Sequence, residues 1–261
     1  MPSIKIDNLK IFYQQIKKQA NGEDSSLLAT KPKIIILHGW GINSNYFIPL
    51  ANELAPDFEI YVPDLPGFGQ SSEPDTPWNV DNYTDLIIKF ARELNLEKFY
   101  LFGHSFGGRV AIKLTSRNQN QIEKLILCGA AGIKTSLNFR QKLAQKIVTT
   151  GRKLIRTKNQ KLKKIIYRLA GQQDYLQASP IMKETLKKVI AEDLSGELPK
   201  IKIPTLLIWG QDDKFTPLWQ GKKMAQLIPN SKLEIFPGGH NIYRIQPQKV
   251  SQAIKYFASE D

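Results

Sequence analysis

Apolar residues are spaced along this chain in two patterns that take turns. Lys33 to Leu37, Glu59 to Val62, Phe99 to Phe102, Ile122 to Cys128, Pro204 to Trp209 and Lys232 to Phe236 are short apolar runs. Runs of this kind predict strands covered on both faces, as in a parallel sheet. Between them, Ser44 to Leu54, Asn79 to Leu94, Arg109 to Ser116, Pro217 to Ile228 and Pro247 to Phe257 read as helices. Asn79 to Leu94 is the clearest, with Tyr83, Leu86, Ile87, Phe90 and Leu94 along one face and Asn79 or Asp81 as candidate N-cap. Ile4 to Ile6 and Leu9 to Ile16 flank the polar pair Asp7-Asn8 and predict two more strands. Gln19 to Lys31, polar and carrying Asn21-Gly22, predicts an exposed loop. Strands alternating with helices imply right-handed crossovers, hence an α/β fold with a mostly parallel twisted sheet flanked by helices.

The alternation breaks once. Residues 133–196 hold three amphipathic stretches (Asn138 to Thr149, Gln160 to Ala170 and Pro180 to Leu194), with basic residues opposite each apolar stripe. The insertion begins just after Cys128, at the end of a strand, so it is expected at the carboxyl edge of the sheet, where α/β folds place their sites. We therefore divide the chain into a core, 1–132 and 197–261, and a helical, strongly basic cap, 133–196.

Length and composition fit that division. A chain of 261 residues, 41% hydrophobic, is long enough to bury one sizeable α/β core. The formal net charge of +13 is matched by the segment from Ile133 to Ile190, within the insertion, where only Asp174 and Glu184 oppose the basic residues. Such a surface is first a solvated face, then a source of weak electrostatic attraction to anionic membranes. No aromatic-interleaved basic motif appears, so nucleic acid is not an expected partner. The first residues lack the charged-then-apolar pattern of a secretory leader, and no apolar run reaches spanning length, so the expected location is cytoplasmic. The single cysteine, Cys128, precludes an internal disulfide and is expected as a small buried core residue.

Candidate chemistry gathers at Gly103-His104-Ser105-Phe106-Gly107, between an apolar strand and a helix. Gly-x-Ser-x-Gly in that context predicts a nucleophile elbow, with Ser105 on a strained turn and glycines allowing close strand–helix approach. A serine hydroxyl needs a base within reach. Of three histidines, His104 precedes Ser105 in the turn and should point away from its hydroxyl, and His38 follows a buried strand. His240, in the loop after the last strand, is the best base. The orienting carboxylate then comes from Asp212 or Asp213, after the preceding strand.

Five stretches in this order resemble the α/β-hydrolase fold superfamily, in its capped esterase and C–C hydrolase-like branch. They are His38-Gly39-Trp40-Gly41, Asp64-Leu65-Pro66-Gly67-Phe68-Gly69-Gln70-Ser71, Gly103-His104-Ser105-Phe106-Gly107-Gly108, Trp209-Gly210-Gln211-Asp212-Asp213 and Gly239-His240. The resemblance implies Asp213 as the acid, third after the strand-ending glycine, with Asp212 as the alternative. It also implies an oxyanion hole built from the backbone N–H groups of Trp40 and Phe106. The implied activity is carboxylic ester hydrolysis through a Ser105–His240–Asp213 triad and an acyl-enzyme, on a small-molecule ester or related carbonyl substrate. No metal or organic cofactor is implied. Serine at the elbow argues against the dehalogenases and epoxide hydrolases of the superfamily, which use aspartate there. Its C–C bond hydrolases usually carry an aromatic residue after the catalytic histidine, where this chain has Asn241. C–C bond hydrolysis or a lyase reaction on an acidic ketone, and a non-catalytic small-molecule-binding role, are the alternatives.

Overall fold

The computed structural model describes residues 2–18, 31–134 and 178–260. Its strands are β1 (Ser3–Ile6), β2 (Leu9–Ile16), β3 (Lys33–Leu37), β4 (Glu59–Pro63), β5 (Phe99–His104), β6 (Ile122–Cys128), β7 (Thr205–Gly210) and β8 (Ser231–Phe236). The helices are α1 (Ile48–Leu54), α2 (Val80–Glu93), α3 (Phe106–Arg117), α4 (Pro180–Ala191), α5 (Leu218–Leu227), α6 (Ile242–Ile245) and α7 (Pro247–Ser259). The eight strands form one sheet in the order β1-β2-β4-β3-β5-β6-β7-β8. The hairpin β1–β2 is antiparallel, turning through Asp7 at a φ of 51°, and β2 joins β4 antiparallel. Every pairing from β4 to β8 is parallel.

The apolar strand runs are explained by two cores. Ile35, Leu37, Leu101, Leu125, Leu127, Leu207 and Trp209 face one way and pack with residues of α2, α3 and α5. Ile34, Ile36, Phe102, Ile126, Cys128, Leu206 and Ile208 face the other way and meet residues of α1, α6 and α7. With both faces covered, polar alternation has no place on the central strands.

Three local features differ from the sequence expectations. Ser44 to Leu54 is not one helix: a 3₁₀ turn (Ser44–Phe47) precedes α1. Pro49 lacks the N–H that would bond back to residue 45, so a continuous α-helix breaks there. The stretch read as Pro180 to Leu194 ends its helix at Ala191, with Glu192 extended. The short α6, between His240 and α7, was not expected. The predicted N-cap is Asn79, whose side chain and that of Asn82 cap each other's backbone N–H.

Of the expected cap, the helices read over 138–149 and 160–170 lie outside the described residues, as does most of the loop read over 19–31. Within α4, Met182, Thr185 and Val189 are buried. Met182 packs at Gly67, and the Thr185 hydroxyl accepts from Trp78 N at 3.0 Å. Among the described residues, no helix is long and apolar enough to cross a membrane.

Strand order fixes where a site can form. From β3 the chain steps outward to β4, then returns across β3 to β5 and continues the other way. The crevice at this reversal, beyond the carboxyl ends of β3 and β5, is the usual ligand position in open α/β sheets. His38 and Ser105 stand at those two strand ends.

Candidate active site

Ser105 links β5 to α3 with φ 52° and ψ −111°, left-handed backbone that a non-glycine residue adopts only under constraint. The constraint is close packing. A Cβ on Gly107 would lie 2.2 Å from the Leu37 carbonyl oxygen, and one on Gly103 would lie 2.7 Å from both Ala111 Cβ and the Gly107 carbonyl oxygen. The elbow is also bonded in place. Gly107 N donates to His38 O at 3.0 Å, and Ala131 N donates to Ser105 O at 3.0 Å. The loop after β3 and the loop after β6 therefore hold the serine from two sides.

Trp40 and Phe106 are neighbours. Their rings pack edge to face at 5.4 Å, and Phe68 meets Trp40 at 4.8 Å. Phe106 also contacts Tyr83, which in turn contacts Trp78. An apolar, aromatic wall thus lies beside the elbow. It is backed by Asp64, whose carboxylate accepts from Ser44 N at 2.7 Å and Gln70 N at 2.9 Å.

The loops after β7 and β8 bring an imidazole and a carboxylate together. His240 Nδ1 lies 2.8 Å from Asp213 Oδ2. Asp213 is buried, whereas Asp212 is exposed, so the side chain facing His240 belongs to Asp213. Asp213 Oδ1 accepts from the backbone N–H groups of Phe215 at 2.8 Å and Thr216 at 2.9 Å. Burial raises the Asp213 carboxyl, and the hydrogen bonds from His240 and Thr216 outweigh it, leaving the group below the usual carboxylate range. An acceptor that stays ionised fixes Nδ1 as the donor and leaves Nε2 as the free basic nitrogen.

The other two histidines are structural. His38 is fully buried, accepting from Leu65 N at Nε2 (2.9 Å) and donating from Nδ1 to Gly39 O (2.7 Å). An amide N–H can only donate, so these two bonds define one neutral tautomer. Burial lowers its pKa to about 4. His104 gives Nδ1–H to Cys128 O at 2.9 Å and packs its ring 4.6 Å from that of His240. Burial first, then the nearby His240, lowers its pKa to about 3. Cys128 is fully buried with its thiol pushed up by burial, the core residue its run predicts.

Sequence reasoning missed two neighbours. Thr216 is buried against Asp213 and His240, and the exposed Phe215 ring lies 5.1 Å from the imidazole. The only advance signal was local: Asp213 precedes Thr216 by three, the spacing at which an aspartate caps a turn. Among the described residues, no group of three His, Cys, Asp or Glu side chains is arranged to hold a metal ion.

The sequence matches the alpha/beta hydrolase fold family over residues 32–148 and 170–244, and the chain belongs to that family. It is 29% identical to the AB hydrolase superfamily protein YisY of Bacillus subtilis, over 87% of this chain and 91% of the relative. It is 28% identical to a 2-hydroxy-6-oxo-6-phenylhexa-2,4-dienoate hydrolase of Burkholderia cepacia, covering 78% and 79% of the two chains. It is also 28% identical to a pimeloyl-[acyl-carrier protein] methyl ester esterase of Shewanella woodyi, covering 76% and 80%. The crystal structure of the enol-lactonase from Burkholderia xenovorans superposes with a TM-score of 0.76 at 20% identity, over 99% of this chain and all (100%) of the other.

Proposed function

We propose that the protein is a serine hydrolase of small carboxylic esters, with Ser105 as nucleophile, His240 as general base and acid, and Asp213 as the orienting carboxylate. The observation that carries this reading is the 2.8 Å bond between His240 Nδ1 and the buried Asp213; Ser105 stands on a strained elbow, and the ring of the preceding residue, His104, packs 4.6 Å from that of His240. The Ser105 hydroxyl attacks the ester carbonyl as His240 Nε2 takes its proton. The imidazolium keeps its Nδ1–H bond to Asp213, and the tetrahedral oxyanion is held by the backbone N–H groups of Phe106 and Trp40. Expulsion of the alkoxide, protonated by His240, leaves an acyl-serine. Water, activated by the same imidazole, releases the acid and restores the serine. Losing one oxyanion donor typically costs ~10²–10³ in rate, so the two amides are a large part of the proposed catalysis.

The methyl ester esterase relative supports ester substrates. The dienoate hydrolase relative supports a second reading, C–C bond hydrolysis on an acidic ketone, against which stands Asn241 in place of the aromatic residue expected after the histidine.

Hydrolysis of p-nitrophenyl acetate and butyrate tests the proposal. Ser105→Ala is expected to lose at least about 10³-fold in kcat/KM. A wild-type rate equal to that of Ser105→Ala removes ester hydrolysis. Turnover of a vinylogous diketone acid in preference to simple esters supports the C–C reading. Failure of a fluorophosphonate to label Ser105 points instead to a binding role.

A further inference from the structure

We propose that Thr216 is a positioning residue of this site, its hydroxyl tying together the loops that carry the acid, the base and the support of the nucleophile. The proposal rests on the catalytic reading of Ser105, His240 and Asp213 and assigns a role to a residue outside that triad. Thr216 Oγ1 lies 2.8 Å from Asp213 Oδ2, 2.9 Å from Gly129 O and 3.3 Å from His240 Nδ1. These three partners stand in the loops after β7, β6 and β8. The β6 loop in turn grips the elbow, since Ala131 N donates to Ser105 O two residues beyond Gly129. One buried hydroxyl therefore links the serine's support to the acid–base pair.

The threonine is itself held rigidly. Its N–H donates to Asp213 Oδ1 at 2.9 Å, and its carbonyl accepts from the fully buried Trp209 indole at 2.7 Å. Pro217 follows and disfavours helical backbone at Thr216. Two acceptors, a carboxylate and a carbonyl, face a hydroxyl that owns one proton. A contact of 2.8 Å to an ionised carboxylate requires that proton on the Asp213 side, shared with Gly129 O. Asp213 Oδ2 thus receives two donors, Nδ1–H of His240 and the Thr216 hydroxyl, which fix both the position of that oxygen and the plane of the imidazole. Space beside them is already closed: a Cβ on Gly129 would lie 3.2 Å from Asp213 Oδ2 and 3.3 Å from His240 Nδ1.

Thr216→Val keeps the shape and removes the donor, while Thr216→Ser keeps the donor and removes the methyl group. Thr216→Val is expected to lower kcat on p-nitrophenyl acetate by about 10- to 100-fold with KM within about twofold, since a buried acceptor loses its partner and the acid–base pair loses alignment. Thr216→Ser is expected to restore kcat to within about threefold of wild type. The downfield proton resonance of His240 Nδ1–H is expected to broaden in Thr216→Val and sharpen again in Thr216→Ser. Wild-type kcat and an unchanged resonance in Thr216→Val would overturn the proposal. So would a Thr216→Ser variant as impaired as Thr216→Val, which would make the role one of packing. A wild type that neither hydrolyses esters nor reacts with a fluorophosphonate would remove the catalytic reading instead. The proton resonance would then still decide whether Thr216 sets the geometry of the pair.

Discussion

At the scale of single residues, the elbow spends backbone strain to present one hydroxyl. Ser105 stays at φ 52° because the contacts around it leave no relaxed alternative. Gly107 is the tightest of these, since the atom its Cβ would meet at 2.2 Å is backbone, which has no rotamer to retreat into. Gly107→Ala is therefore expected to lose soluble, cooperatively folding protein, or at least ~3 kcal/mol of stability in urea denaturation. Gly196→Ala is the matched control, because a Cβ there meets nothing within 4 Å; it should stay within about 0.5 kcal/mol of wild type. Residue identities around the elbow were legible because each demanded a rare property. A serine in a strand-to-helix turn needs glycine neighbours, and a base needs one of only three histidines. Thr216 and Phe215 were not legible. A threonine and a phenylalanine suit hundreds of environments, and only the turn capped by Asp213 decides that these two meet His240.

At the scale of elements, strands and long helices announced themselves through periodicity, and their ends were set by chemistry that periodicity does not carry. Pro49 divides the expected Ser44 to Leu54 helix, Pro63 extends β4 by a residue, and β7 runs one residue later than expected, losing Pro204 and gaining Gly210. The four-residue α6 is too short to show a period at all. Helix α4 was readable as amphipathic, but its partner was not, since no local rule says which surface will accept Met182. That surface is the turn at Gly67, where φ is 87° and a Cβ would stand 2.3 Å from the Met182 sulfur. At the other end of α4, Lys113 of α3 pairs with Asp81 of α2 at 2.7 Å and with Glu192 just past α4, joining three elements through one largely buried amine. Met182→Ala should then loosen α4 first, costing about 2–3 kcal/mol by loss of buried contact. Amide hydrogen exchange checks this: faster exchange confined to residues 180–191 and the 66–78 segment is expected, with β5 and β6 unchanged. Uniformly faster exchange would mean that α4 is part of the global cooperative unit.

At the scale of the whole molecule, two of the three histidines are sealed into the fold as neutral rings, and this couples stability to pH. The usual histidine value is 6.5, and the folded protein lowers His38 to about 4 and His104 to about 3. Both shifts arise chiefly from burial, which penalises the charged ring. At His38 the bonds agree with this: Nε2 already accepts from Leu65 N–H, a bond that a protonated ring would lose. Between pH 6.5 and about 4 the unfolded chain carries protons on these rings that the folded chain refuses. The unfolded state therefore binds more protons, so stability is complete above 6.5 and falls as pH drops through that window. Asp213 adds its loss only lower, since its carboxyl is held below the ordinary aspartate value of 3.8. Urea midpoints should thus decline steadily from about pH 7 to about pH 4.5, with carboxylates such as Glu59 and Glu197 adding to the fall only toward the lower end. His104→Asn retains a donor for the Cys128 carbonyl and has no ring to protonate, so its midpoint should change less steeply over the same interval. A wild-type midpoint flat from pH 7 to about 4.5 would mean that protonated imidazoles are tolerated inside the fold, and the neutral assignments of His38 and His104 would have to be abandoned.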